Sequence, residues 1–232
     1  GKTISIFYSD YYPRDGKGAG AWCGRFRPQS YEGAMRVQPI VTNVCNMTLP
    51  TEEGGPALQT VDNVLTMFHE FGHALHSFFR DVQYEGTGGV ERDFVELPSQ
   101  INEHWAFEPE VLRQYARHYQ TGEVIPQELV EKIDASSKYG QGFATVEYLA
   151  ASYVDLDLHY LTEMPKKLDV MKFQAEKMRK RGMPSQILPR YSVTNFSHTM
   201  GGGYSAGYYS YIWAEVLDAD AFEAFKETGD IF

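Results

Sequence analysis

Cysteine is almost absent from this chain. Cys23 and Cys45 are the only two thiols in 232 residues, and their separation fits neither a disulfide framework nor a zinc-binding pair. They read as buried, inert thiols of a protein from a reducing compartment. Long apolar runs are missing as well. Nothing approaches the roughly 18 consecutive apolar residues that a membrane span needs, and no basic start followed by an apolar core marks a secretory signal. The first residue is Gly1 rather than Met, so the native N-terminus is expected to lie upstream. Basic residues are in deficit, with 21 Lys and Arg against 31 Asp and Glu and a net charge of −10. Such a chain repels nucleic acid phosphates and anionic membranes, and neither is expected as a partner. A cytoplasmic location is the expectation. No repeat, low-complexity tract or domain linker is visible.

What remains is the composition of a folded protein, with 43% hydrophobic, 22% charged and 14% aromatic residues. Disorder is excluded as its general state. Residues 1–48 read as strands and loops. Thr3 to Tyr8 alternates with β-prone residues, and Arg36 to Met47 is a second β-prone run whose start Pro39 demotes to an edge position. A turn-rich connection through Pro50, Gly54, Gly55 and Pro56 follows. Beyond it the pattern turns helical. Val61, Val64, Leu65, Phe68, Leu75, Phe78 and Phe79 share one face, and Thr60 or Asp62 can cap the start. Further helices are predicted from about Glu96 to Tyr119 with a break near Pro109, from Pro126, over Ala144 to Leu161, over Val170 to Met178, and over Tyr208 to Phe225. Residues 182–206 read as loop. The fold class is mainly α, of the α+β type, with a small N-terminal sheet.

The sharpest chemical signal is His69-Glu70-Phe71-Gly72-His73, an H-E-x-x-H motif inside the first helical pattern. Histidines at i and i+4 lie on one face, about 6 Å apart along the axis, so both imidazoles can reach one metal ion. Glu70 lies about 100° around the helix, beside the open coordination position. There a carboxylate can take a proton from water and pass it to a leaving amine. Gly72, a poor helix former between the two histidines, is hard to explain on a plain surface helix.

A catalytic zinc wants three protein ligands and an open position. His76 is a poor third ligand, because about 10.5 Å of helix axis separates it from His69; it reads as a packing or supporting residue. The metzincin continuation also fails, since it needs Gly at position 76 and His at position 79, where His76 and Phe79 stand. Downstream, Glu91, Asp93, Glu96 and Glu103 are the acidic candidates. Glu96 and Glu103 are seven apart and share a helical face, the two-helix logic of a zincin. Spacing does not choose between them: one would bind metal, the other a histidine N–H. Asp62 is either a further supporting carboxylate or a helix cap.

A second cluster runs from His198 to Trp213 (HTMGGGYSAGYYSYIW). Gly201 to Gly203 can hinge, and Tyr204, Tyr208, Tyr209 and Tyr211, with His198 before them, include phenols that can donate hydrogen bonds to an oxyanion. Taken alone, tyrosines at helical spacing are more often packing residues. Arg190 can pair with a substrate carboxylate, although a structural ion pair is the commoner use. The basic run at 177–181 reads as a solvated helix face.

Together, FHEFGHALH at 68–76, RDFVELPSQINEHW at 92–105 and the His198 to Trp213 cluster resemble the thimet oligopeptidase family of zinc metallopeptidases. GAW at 20–22, NVCN at 43–46, INEHWA at 101–106 and YARHYQ at 115–120 are similar to its peptidyl-dipeptidase branch, as is the spacing of six from His198 to Tyr204. The resemblance implies one Zn2+ held by His69, His73 and Glu96, with Glu70 as general base and acid. It implies Tyr211 and its helper Tyr204 at the oxyanion, Tyr208 and His198 along the substrate, and Glu103 as a supporting residue. It further implies a zincin-like helical catalytic lobe, with residues 1–50 as a β-rich edge and 57–232 as the helical part. The chain is expected to be a single catalytic region, a fragment of a longer two-lobed peptidase. The expected activity is release of C-terminal dipeptides from short peptides by a monomeric enzyme. The alternatives are an oligopeptidase cutting internally and a non-catalytic helical module with structural zinc.

Overall fold

The computed structural model describes residues 1–163 and 165–231. The chain divides into two compact units, Gly1–Ile125 with Ala214–Phe232, and Pro126–Trp213.

The first unit begins with β1 (Ile6–Asp10), β2 (Trp22–Arg27), β3 (Ser30–Glu32), β4 (Met35–Val37) and β5 (Ile40–Val44). Three of these form a sheet in the order β1-β5-β2, with β5 parallel to β1 and antiparallel to β2. β3 and β4 make a separate hairpin, turned at Gly33, whose φ of +62° suits glycine. The long β-prone run is therefore two strands rather than one. β5 is the central strand, not an edge. Pro39 escapes the ladder by standing just before β5, where its missing N–H costs nothing and its carbonyl accepts the Ile6 N–H at 3.1 Å. β2 had no clear sequence signal, because Gly24 interrupts a short strand set among turn residues.

Alternation along the sheet decides which face is covered. Phe7 points to one side and meets Phe71 and Phe78 edge-on, with ring centroids 5.7 and 5.5 Å away. These two belong to α1 (Val61–Phe78), the predicted first helix. Thr60 caps it, accepting the Asn63 N–H at 3.2 Å, and Asp62 sits in its first turn. α2 (Leu97–Phe107) and α3 (Pro109–Tyr115) follow, broken where Pro109 predicts. α2 opens with Pro98 in its first turn, the position where a missing N–H is tolerated. The larger part of α8 (Ser210–Glu227) completes this unit.

The second unit contains α4 (Gln127–Ser137), α5 (Gln141–His159), α6 (Val170–Lys180) and the short α7 (Ser197–Met200). Its core joins Ala150, Val154, Met178 and Val193. A second cluster joins Ala151, Phe196 and Tyr208, with Tyr148, Tyr191 and Tyr211 packed against them. The basic run on α6 is partly engaged, since Lys177 and Arg181 both reach Asp157 of α5, at 3.4 and 2.9 Å. No helix among the described residues is long and apolar enough to cross a membrane.

Candidate metal centre

α1 and α2 pack against each other at Gly72. A Cβ there would stand 2.3 Å from the Pro98 carbonyl oxygen and 2.7 Å from Ser99 Cα, so only glycine allows this approach. Asn102 ties the same two helices, donating from Nδ2 to the Phe68 carbonyl at 2.7 Å. The approach delivers Glu96, the residue just before α2, to the histidines of α1. Glu96 Oε2 lies 3.2 Å from His69 Nε2 and 3.2 Å from His73 Nε2. Ser99 fixes the carboxylate by donating to the Glu96 carbonyl at 2.8 Å and to Oε2 at 3.1 Å. Glu96 is 2% exposed.

Among the described residues, His69, His73 and Glu96 are the one group of His, Cys, Asp or Glu side chains whose ligand atoms converge closely enough for a metal ion. The fit to zinc is good. Bonds near 2.0–2.1 Å in a tetrahedron place neighbouring ligand atoms roughly 3.3 Å apart, which the two 3.2 Å separations match. Two imidazoles and one carboxylate are also the donor set of a catalytic rather than a structural site.

Glu103, two turns into α2, contacts the other nitrogen of His69, with Nδ1 donating to its Oε1 at 2.6 Å. That bond fixes the tautomer and turns Nε2 toward the metal position. Burial opposes a proton on His69, but the Glu103 and Glu96 carboxylates prevail and raise its imidazole to about 10. The centre is built to hold positive charge. Glu70 is 5% exposed, and its buried Oε2 has no hydrogen-bond partner. Burial pushes its carboxyl above the usual carboxylate range, against the opposing pull of His69 and His73. A desolvated carboxylate beside a cation site suits a base.

Asp62, His69, Glu70 and Glu103 line one cleft, with Gly20, Ala21, Asn46 and Met47 also contributing. Asn46 holds the glycine-rich wall by donating to the Gly18 and Gly20 carbonyls at 2.9 and 2.8 Å. Capping is thus done by Thr60 and histidine support by Glu103, and Asp62 does neither. His76 faces elsewhere, into an apolar cavity with Leu75, Ile101 and Trp105. Burial, with His73 and Arg80 nearby, lowers its imidazole pKa. Cys45 is buried and Cys23 half-buried, both as free thiols. Burial, reinforced by the Glu70 charge, pushes them up to about 11 and about 12, which leaves them unreactive.

In the second unit the structure gathers His198, Tyr204, Tyr208 and Tyr211. The His198 ring lies 5.9, 5.4 and 6.1 Å from the three tyrosine rings in that order. Tyr204 and Tyr211 stack at 5.4 Å. Tyr208 is 3% exposed, and burial raises its phenol well above the ordinary range, so it stays protonated. Sequence reasoning missed Tyr148, which stacks on Tyr208 at 4.9 Å, and Asp155, a fully buried carboxylate on α5. The available signal for Asp155 was an acid set in the apolar stripe of α5. Arg190 is exposed, and the guanidinium lies 5.9 Å from the Tyr191 ring centroid.

A family model described as Peptidase family M3 matches residues 1–232. The chain is 42% identical over 234 residues to a dipeptidyl carboxypeptidase of Escherichia coli (strain K12), covering 100% of this chain and 34% of the relative. It is 39% identical over 231 residues to oligopeptidase A of the same organism, covering 96% of this chain and 33% of the relative. Saccharolysin of Saccharomyces cerevisiae (strain ATCC 204508 / S288c) is 31% identical over 225 residues, covering 94% and 31%. The chain spans about a third of the length of the curated relatives it matches. With a match along its whole length, and with the motifs that carried the resemblance folded into a His-His-Glu centre, the chain belongs to peptidase family M3.

Proposed function

We propose that this chain carries the catalytic region of a cytoplasmic zinc peptidase that releases dipeptides from the C-termini of short peptides. The observation that carries the reading is Glu70, a buried carboxylate with an unpartnered oxygen beside the His69-His73-Glu96 trio. The similarity to a protein named dipeptidyl carboxypeptidase supports the finer assignment.

His69, His73 and Glu96 would hold the zinc, with Glu103 orienting His69. When bound, zinc supplies Lewis acidity, polarising a carbonyl and making water more acidic. Glu70 takes the proton of the attacking water and returns it to the leaving amine. Tyr211, helped by Tyr204, donates to the oxyanion, and His198 and Tyr208 hold the substrate. This assignment follows the motif resemblance and is supported by the stacked phenols and by a Tyr208 that keeps its proton. β1 and β2 are both sheet edges, and an extended peptide can add to such an edge.

Similarity to oligopeptidase A favours a second reading, internal cleavage. One short peptide, prepared with a free and with an amidated C-terminus, separates the two by mass spectrometry of its products. Stepwise loss of dipeptides from the free form alone is expected. Internal cuts in both forms would move the assignment to an oligopeptidase, and no cleavage by zinc-loaded protein would leave a non-catalytic module.

A further inference from the structure

The buried face of α5 is apolar at Ala150, Ala151 and Val154, yet Asp155 beside them is 0% exposed. A carboxylate in such a place is costly unless its oxygens are satisfied. Both are. Oδ1 accepts the Ala206 N–H at 2.9 Å and Oδ2 accepts the Tyr208 N–H at 3.0 Å. His159, one turn along α5, brings Nδ1 within 2.9 Å of Oδ1. The two backbone donors come from one short segment more than fifty residues away in sequence.

That segment joins the Gly201-Gly202-Gly203 run to α8. Its backbone is unusual at one point: Ala206 has φ +53°, the one positive value for a non-glycine residue among the described residues. Such a conformation costs an L-residue about 1–2 kcal/mol and persists only where its surroundings hold it. The hydrogen bond to Asp155 starts from that same residue's N–H. Tyr148 adds a second hold, its hydroxyl donating to the Tyr208 carbonyl, and Ser205 Oγ donates to the Thr199 carbonyl at 2.7 Å. Upstream, a Cβ could be added to Gly201 without meeting any atom within 4 Å. At Gly202, by contrast, it would stand 3.0 Å from the His198 backbone, and Gly201 and Gly202 both donate their N–H to the Ser197 carbonyl, at 3.1 and 2.8 Å, so the segment is held at 206–208 by Asp155 and upstream by α7.

We propose that Asp155 is a positioning residue for the tyrosine cluster. Its carboxylate fixes the 206–208 backbone, so that Tyr208 and the first turn of α8 with Tyr211 are preset. Asp155 touches no substrate. The inference rests on the reading that Tyr204 and Tyr211 serve the oxyanion. Preset donors lower the transition state without tightening substrate binding, and that asymmetry is what the test reads.

The variant is Asp155→Asn, which keeps the size of the side chain but turns an N–H toward one of the two backbone donors. It is compared with the unaltered, zinc-loaded protein for kcat, KM, zinc content and affinity for a phosphinic peptide that mimics the tetrahedral intermediate. The expected result is a fall in kcat of about tenfold or more and a matching loss of phosphinate affinity, with KM and zinc content held. Unchanged kcat and phosphinate affinity would overturn the proposal. So would a loss of activity that only follows the folded fraction, with kcat per folded site unaltered. Should Asp155→Asn fail to fold, hydrogen exchange on the unaltered protein decides. The Ala206 and Tyr208 amides, which donate to Asp155, should be strongly protected from exchange, and exchange at the rate of an unprotected amide would overturn the pinning. Tyr211→Phe and Tyr204→Phe test the underlying reading separately. If neither lowers kcat, both that reading and this inference fail; if they lower it and Asp155→Asn does not, only the positioning role fails.

Discussion

Gly72 and Pro98 set how closely the two helices of the metal centre approach: a side chain on Gly72 would begin 2.3 Å from the Pro98 carbonyl oxygen. Gly72→Ala gains about 1 kcal/mol of helix propensity but must push backbone aside. Overpacking of this kind costs about 1–3 kcal/mol, and here it lands on the contact that brings Glu96 to His69 and His73. The expected result is a less stable protein with zinc affinity reduced at least tenfold, read by denaturant unfolding and by competition with a chromophoric chelator. A variant that is more stable and binds zinc normally would show that the helices separate without cost.

Glu70→Gln separates metal binding from chemistry. The substitution keeps the shape of the side chain, and none of the three atoms facing the metal position belongs to Glu70. Zinc content should be unchanged. Turnover should fall by roughly 10²–10⁴, the usual contribution of a positioned acid–base group. Activity within a few-fold of the unaltered protein would rule out Glu70 as the base.

The uncertain third ligand shows where sequence reading stops. Glu96 and Glu103 could not be ranked by spacing, and the structure gives the reason: both carboxylates contact the same imidazole, one at each nitrogen. What separates them is that Glu96 also faces His73, a relation across two helices that no single-helix pattern contains. The H-E-x-x-H helix itself was legible in extent, because its period is local, although the sequence narrows its cap only to Thr60 or Asp62 and the structure shows Thr60. The sheet was legible only in part. Its two β-prone runs were visible, but the central place of β5 depends on pairing with β2, whose Gly24 hides it. Asp155 left only the signal of an acid in the apolar stripe of α5, because two of its partners are the Ala206 and Tyr208 backbone amides, which carry no side-chain signature.

Glu103 acts through His69, and its removal should show in metal affinity before it shows in chemistry. Glu103→Gln keeps an acceptor for His69 Nδ1 but takes away a negative charge that faces the centre. Loss of such a supporting carboxylate lowers metal affinity by about 10–100-fold. Saturating zinc should therefore restore most of the activity of Glu103→Gln and none of that of Glu70→Gln. Equal zinc affinity in Glu103→Gln and the unaltered protein would make the 2.6 Å contact a packing detail.

His104, the residue after Glu103, and Asp218 tie α2 to α8. His104 Nε2 lies 2.7 Å from Asp218 Oδ1, and Asp218 is 4% exposed. The imidazole also stacks on Phe222 at 4.5 Å with an interplanar angle of 12°, and Trp105 packs edge-on against Phe222 and Phe225. With Asp218 buried and the His104 side chain 35% exposed, the pair should couple more strongly than a fully exposed one. In a double-mutant cycle of His104→Ala and Asp218→Ala, unfolding free energies should give a coupling of about 1–3 kcal/mol, above the level of exposed pairs. Since Glu103 precedes His104 directly, loosening this end of α2 should also weaken zinc binding in both single variants. A coupling near zero, or zinc affinity unmoved by either substitution, would show that the His104–Asp218 contact does not hold α2 in place for the metal centre.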